Sequence, residues 1–159
     1  MIRCYIGLGS NLGDPSRQLD RAVAALAELP DSQLVATSPR YGSQAVGPGE
    51  QPDYVNAVAA LDTLLAPLAL LDALQAIEHR QGRVRTLRWG ARTLDLDLLL
   101  YGEQVLDLPR LQVPHPRLTE RSFVLCPLLD LAPDLCLPDG RALASLSTTQ
   151  DPRQLHRLP

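Results

Sequence analysis

Apolar positions along the chain change period in an order that lays out its elements before any reactive residue is considered. Residues 2–8 form a short apolar run that reads as a buried strand, and Gly9-Ser10-Asn11-Leu12-Gly13-Asp14-Pro15 reads as the turn that ends it. Asp14 followed by Pro15 predicts a helix start, with the aspartate as cap and the proline in the first turn. Leu19, Ala22, Val23, Leu26 and Leu29 then recur at spacings of three and four, so one face of that helix is apolar until Pro30-Asp31 closes it. Residues 34–41 predict a second strand and residues 54–61 a third, with Tyr54, Asn56 and Val58 on one side. Pro67 opens a second helix whose stripe is Leu70, Leu71, Leu74 and Ile77, and Gln81-Gly82 ends it. From Thr93 to Tyr101 the period returns to two, which places Asp95 and Asp97 opposite Leu94, Leu96 and Leu98. A helix over residues 121–131 and a proline-rich tail follow. The order β-α-β-β-α-β predicts one α+β domain over residues 1–159. Its expected core is ferredoxin-like, with helices on one face of a mostly antiparallel sheet and a mixed C-terminal extension.

Two segments fall outside this periodicity. Residues 42–53 hold three glycines and two prolines and have little means of burying themselves. A loop of that length inside a small domain is more often functional than idle. Residues 83–93 hold Arg83, Arg85, Arg88 and Arg92 around Trp89. All 15 basic side chains of the 159-residue chain are arginine, and eight of them lie between residues 80 and 121. A GC-rich genome would explain the absence of lysine but not the clustering.

Composition narrows the class. Apolar residues are 45% and charged residues 21%, enough for a core and too little charge for disorder. A net charge of −3 and a pI near 5.5 argue against a general nucleic-acid coat, though not against a local anion site. Cys4, Cys126 and Cys136 fit neither a disulfide framework nor a zinc knuckle, so reduced thiols are expected. The N-terminus lacks a signal-peptide core and no apolar run is long enough for a membrane span. A cytoplasmic monomer is the expectation.

Asp95 and Asp97 are the strongest chemical constellation. At i and i+2 on a strand they point the same way, roughly 7 Å apart, and would repel each other unless paired. Mg²⁺ resolves such a conflict, since it uses one or two carboxylates and completes its shell with phosphate oxygens and water. The alternative is the solvated face of an edge strand. The nearby arginines favour the metal, because guanidinium forks grip phosphate oxygens while a cation bridges them. Trp89 could anchor its loop in the core or cover a ligand. His115, stiffened between Pro114 and Pro116, could donate to a phosphate beside Arg121. Tyr54 and Phe123 stand out in a chain with 4% aromatics: they could sandwich a flat heterocycle, with Asn56 and Ser43 on its polar edge, or simply pack in the core. The glycines of Gly7-Leu8-Gly9-Ser10-Asn11-Leu12-Gly13 match a dinucleotide fingerprint only loosely, and with no lysine there is no Walker A site.

Taken in order, these pieces resemble the family of 6-hydroxymethyl-7,8-dihydropterin pyrophosphokinases, enzymes of folate biosynthesis. The resemblance covers most of the chain. It rests on residues 5–13, on Gln51-Pro52-Asp53-Tyr54-Val55-Asn56-Ala57, and above all on Arg88-Trp89-Gly90-Ala91-Arg92-Thr93-Leu94-Asp95-Leu96-Asp97-Leu98-Leu99. Val113-Pro114-His115-Pro116 and Arg121-Ser122-Phe123-Val124-Leu125 complete it. The resemblance implies transfer of the β,γ-diphosphate of ATP to the hydroxymethyl oxygen of the pterin, with release of AMP. It further implies two Mg²⁺ ions on Asp95 and Asp97, and Arg83 and Arg92 on phosphates. ATP would also meet Gln75, Glu78, Arg85, Trp89, Leu98, Arg110, His115 and Arg121. The pterin would lie between Tyr54 and Phe123, with Asn56 and the loop containing Ser43, Ala45 and Val46 at its edge. Ala91 and Ala45 stand where that family commonly has proline, and Ser43 where it commonly has threonine. Looser loops, with more to order on closure, are the expected consequence.

Two other functions compete. Another Mg²⁺-dependent ATP phosphotransferase would release ADP rather than AMP. A ferredoxin-like nucleic-acid or regulatory module would bind oligonucleotides in a salt-dependent way without turning over ATP.

Overall fold

The computed structural model describes residues 1–11, 13–43, 54–82, 94–146 and 155–158. Strands β1 (Ile2–Ser10), β2 (Ser32–Thr37), β3 (Tyr41–Ser43), β4 (Tyr54–Thr63), β5 (Asp95–Tyr101) and β8 (Leu155–Arg157) form one antiparallel sheet. Its order is β5-β1-β4-β3-β8, and β2 pairs with β4 on the same side as β3. The expected ferredoxin-like core is present, with helix α1 (Pro15–Ala27) after β1 and helix α2 (Pro67–Arg80) after β4. Asp14 caps α1 by accepting from the Arg17 N–H at 3.3 Å, as the Asp-Pro pair predicts.

Four local features depart from the expected pattern. The first strand does not end at Leu8: it runs through Gly9 to Ser10, so two glycines lie inside an interior strand. The second strand breaks into β2 and β3 around Ser38-Pro39-Arg40. Proline cannot donate to a ladder, and Ser38 bridges the gap. Its N–H donates to Val58 O at 2.8 Å, and its hydroxyl accepts from the Val58 N–H at 2.9 Å. A hairpin of β6 (Leu106–Leu108) and β7 (Leu111–Val113), turning at Pro109-Arg110, fills the stretch after β5. The tail supplies β8, which pairs with β3.

The helices are not confined to one face. Helices α1 and α2 cover one side of the sheet, where Leu19, Leu26, Leu70, Leu74 and Ile77 pack on Ile6, Leu8, Ala59, Leu61, Leu96 and Leu98. Helix α3 (Ser122–Leu131) covers part of the other, where Val124, Leu125 and Leu128 meet Tyr5, Val58, Ala60 and Leu99. A bulge between Tyr5 and Ile6 of β1, opposite Leu99, puts both Leu99 and Leu100 into this second cluster. The three cysteines are unpaired, and burial pushes the Cys4 thiol up to about 12. Among the described residues no helix is long and apolar enough to cross a membrane.

Candidate active site

The alternation of β1 prepares the site. Ile6 and Leu8 face α1 and α2, so Gly7 and Gly9 face the α3 side. Residues directly opposed in an antiparallel ladder share a face. Gly9 lies between Asn56 on β4 and Asp95 on β5, and Gly7 between Val58 and Asp97. The result is a trough with a main-chain floor, flanked by a buried amide on one side and two half-buried carboxylates on the other. Side chains would fill it. A Cβ on Gly9 would stand 2.8 Å from Asn56 Oδ1, and one on Gly7 3.5 Å from the Leu99 side chain.

Beside Asp97, at the outer edge of β5, lies an open cleft of about 290 Å³ walled by the β6–β7 hairpin. Asp97, Leu98, Arg110, Gln112, His115 and Pro116 are among its lining residues. The hairpin turn carries Arg110 to α2, where one guanidinium nitrogen donates to Asp72 Oδ1 at 2.6 Å and to Gln75 Oε1 at 3.3 Å. Both partners of the ion pair are more than half exposed. Such a pair is worth under about 1 kcal/mol, so Arg110 is readily released to an anion. Glu78, by contrast, is buried and accepts the Leu96 N–H at 2.9 Å, capping the outer edge of β5. The Leu98 side chain packs on the helix side, so what it offers a ligand at this edge is main chain.

His115 is held from both ends. Its N–H donates to Leu99 O at 3.0 Å, and its Nδ1 accepts from the Arg117 N–H at 3.2 Å. Nδ1 therefore carries no proton in the neutral ring, and Nε2–H is the remaining donor. Burial holds its pKa below the ordinary histidine value; Arg121 and Arg117 push the same way, and Asp97 opposes them. Arg121 precedes α3 with its guanidinium 5.5 Å from the centre of the half-buried Phe123 ring. Tyr54 begins β4 on the Asn56 side, in register with Ser43 of β3. The Ser43 side chain and Ala45, Val46, Arg83, Arg85, Trp89, Ala91 and Arg92 lie outside the described residues.

Thus Asp95, Asp97 and Asn56 come together on the trough, and Leu98, Arg110, Gln75 and His115 come together around the cleft. Sequence reasoning missed Gly7, Gly9 and Asp72. For the glycines a signal existed, since they alternate with Ile6 and Leu8 in strand period; reading Gly9 as a turn residue hid it. The donor set suits a hard cation. Among the described residues no cluster of three or more His, Cys, Asp or Glu side chains could hold a metal alone. Two carboxylates beside an open cleft match Mg²⁺, which completes its shell with phosphate and water, better than a metal needing an all-protein cage.

Residues 5–133 match the family described as 7,8-dihydro-6-hydroxymethylpterin-pyrophosphokinase. The chain is 61% identical over 157 residues to a 2-amino-4-hydroxy-6-hydroxymethyldihydropteridine pyrophosphokinase of Pseudomonas aeruginosa, covering 99% of this chain and 97% of that one. It is 52% identical over 146 residues to the enzyme of the same name from Haemophilus influenzae, covering 92% and 91%. Among solved structures, Plasmodium falciparum HPPK-DHPS with pteroate superposes with a TM-score of 0.71 over 91% of this chain and 41% of that one. At 13% identity that likeness concerns the fold alone.

Proposed function

The chain belongs to the 7,8-dihydro-6-hydroxymethylpterin-pyrophosphokinase family, and we propose that it carries out that reaction in the trough over Gly7 and Gly9. It transfers the diphosphate of ATP to the hydroxymethyl group of 6-hydroxymethyl-7,8-dihydropterin, releasing AMP, in folate synthesis. One bond forms, from the hydroxymethyl oxygen to the β-phosphorus. One breaks, between that phosphorus and the oxygen that leaves with AMP, and the hydroxyl proton is lost.

The observation that carries the placement is the row Asn56–Gly9–Asp95 across three adjacent strands. Asn56 and Asp95 are two strand spacings apart, about 10 Å. That span suits a flat bicycle whose polar edge meets Asn56 and whose hydroxymethyl arm extends toward the aspartates. Tyr54 and Phe123 supply the ring faces. The glycine floor admits the reacting atoms close to the main chain, where a side chain would hold them off.

ATP occupies the adjoining cleft. Its base meets the outer edge of β5 at Leu98, while Gln75 and Arg110 take the sugar–phosphate side. His115 donates from Nε2 to a phosphate oxygen, and Arg121 adds positive charge. Glu78 acts on ATP through the β5 edge that it caps. Arg83, Arg85, Trp89 and Arg92 complete the phosphate side, with Ser43, Ala45 and Val46 at the pterin edge. Asp95 and Asp97 would hold two Mg²⁺ ions, which would supply charge compensation for the triphosphate oxygens. Phosphoryl transfer asks the protein for alignment and charge rather than covalent help, and each of these residues aligns or compensates. Residues 1–159 act as one domain, monomeric and cytoplasmic.

Alanine at Asp95 or Asp97 tests the assignment. Each variant should lose about 10³-fold or more in AMP formation, several kcal/mol of transition-state stabilisation, while still binding the pterin. Wild-type turnover in both variants would overturn it.

A further inference from the structure

The row that crosses the trough does not end at Asn56. Tyr41 of β3 stands in register with Asn56, and Arg157 of β8 in register with Tyr41. One line of directly opposed residues therefore runs Arg157–Tyr41–Asn56–Gly9–Asp95 across five strands. At its far end three side chains from three elements meet. The buried Tyr41 donates its hydroxyl proton to Asp130 Oδ2 on α3. Arg157 donates to Asp130 Oδ1 at 3.0 Å and to the Tyr41 oxygen at 3.3 Å, its guanidinium 5.7 Å from the centre of the Tyr41 ring. Burial, and then the bond to Asp130, hold the Tyr41 pKa above the ordinary value, so the hydroxyl remains a donor.

This cluster joins the two walls of the pterin slot. One wall is β4, whose Asn56 and Tyr54 are held in register by Tyr41 and Ser43 of β3. The other is α3, which begins beside Phe123 and carries Asp130 two turns on, about 10 Å along the helix axis. Pro127, between them, removes the helix hydrogen bond to the Phe123 carbonyl, so α3 relies on the sheet to hold its two ends in line. Tying Asp130 to β3 and β8 fixes the far end against the sheet, and Val124, Leu125 and Leu128, packed on the same face, carry that placement back to Phe123. We infer that Tyr41, Asp130 and Arg157 are positioning residues for the pterin, fixing the gap between Tyr54 and Asn56 on the sheet and Phe123 on α3. The inference rests on reading those three residues as the pterin slot. Arg157 lies beyond residues 5–133, so the family match itself assigns it no role.

The test is steady-state kinetics on full-length Tyr41→Phe, Asp130→Asn, Arg157→Gln and Arg157→Lys, with Asn56→Ala and Phe123→Ala as slot controls. Tyr41→Phe, Asp130→Asn and Arg157→Gln should each raise the KM for the pterin about five- to tenfold, the scale of one lost hydrogen bond. The KM for ATP should rise by a smaller factor than the KM for the pterin. Of the proposed ATP contacts, only Arg121 sits at α3, while Gln75, Arg110 and His115 lie across the sheet from the cluster. Arg157→Lys should recover most of the loss. Pterin and ATP affinities that shift by equal factors, or no shift in either, would overturn the inference. If the slot controls weaken pterin binding and the cluster variants do not, the positioning role fails and the slot stands. Slot controls with wild-type pterin affinity would remove the slot and the positioning role together.

Discussion

The two faces of the sheet are built from the same strands and carry different burdens. Toward α1 and α2, alternate residues of β1, β4 and β5, among them Ile6, Leu8, Ala57, Ala59, Leu61, Leu96 and Leu98, are apolar and closed off from solvent by leucines and Ile77. Toward α3, apolar residues continue only at one end, through Tyr5, Val58, Ala60 and Leu99. Beyond them the strands present Gly7, Gly9, Asn56, Tyr54, Asp95 and Asp97. A core must be filled by the protein's own side chains. A strand face that turns to glycine and half-buried polar groups is one whose complement is a ligand. On the proposed placement, stability is concentrated on the first face and chemistry on the second.

Substitutions on each face should therefore separate two measurements. The largest effect is expected from Leu74→Ala, which empties a fully buried position under α2. It should cost about 2–5 kcal/mol in urea unfolding while AMP formation per folded molecule stays at the wild-type level. A matching fall in turnover would erase the distinction.

Gly9→Ala probes the opposite face. The added Cβ meets Asn56 Oδ1 at 2.8 Å, so the buried amide has to shift. The KM for the pterin should rise about tenfold, as for one lost hydrogen bond. A large stability loss with unchanged KM would place Gly9 in the core instead of the site.

The smallest effect concerns His115, at the border of the two functions. Its folded pKa lies below the usual value of 6.5. Between the two, the unfolded chain binds a proton that the native chain does not, so stability falls as pH drops through 6.5 toward the folded pKa. His115→Gln should lose that part of the acid slope in a series of unfolding curves between pH 7.5 and 5. An unchanged slope would mean that another group sets it.

Much of this division was legible in the sequence, for an identifiable reason. Long periodic segments such as 19–29 and 70–77 betray themselves by repetition, and so does the Leu-Asp-Leu-Asp alternation that places the aspartates opposite the core. Three-residue strands have no period to detect. Leu106–Leu108, Leu111–Val113 and Leu155–Arg157 exist because a partner strand pairs with them, not because of their own pattern. The break between β2 and β3 was foreshadowed by Pro39 yet concealed by the apolar residues around it. Arg110 could be singled out by resemblance, but its bond to Asp72 depends on a hairpin that only tertiary contacts define. The cluster of Tyr41, Asp130 and Arg157 joins residues up to 116 positions apart, which no local reading brings together.

The central claim is that the glycine-floored face performs a single metal-dependent diphosphate transfer. Product analysis of the wild-type protein with ATP, Mg²⁺ and 6-hydroxymethyl-7,8-dihydropterin tests it most directly. The account predicts AMP and pterin diphosphate in equal amounts, with none formed when EDTA removes the metal. Release of ADP, or AMP formed at an undiminished rate without metal, would contradict it.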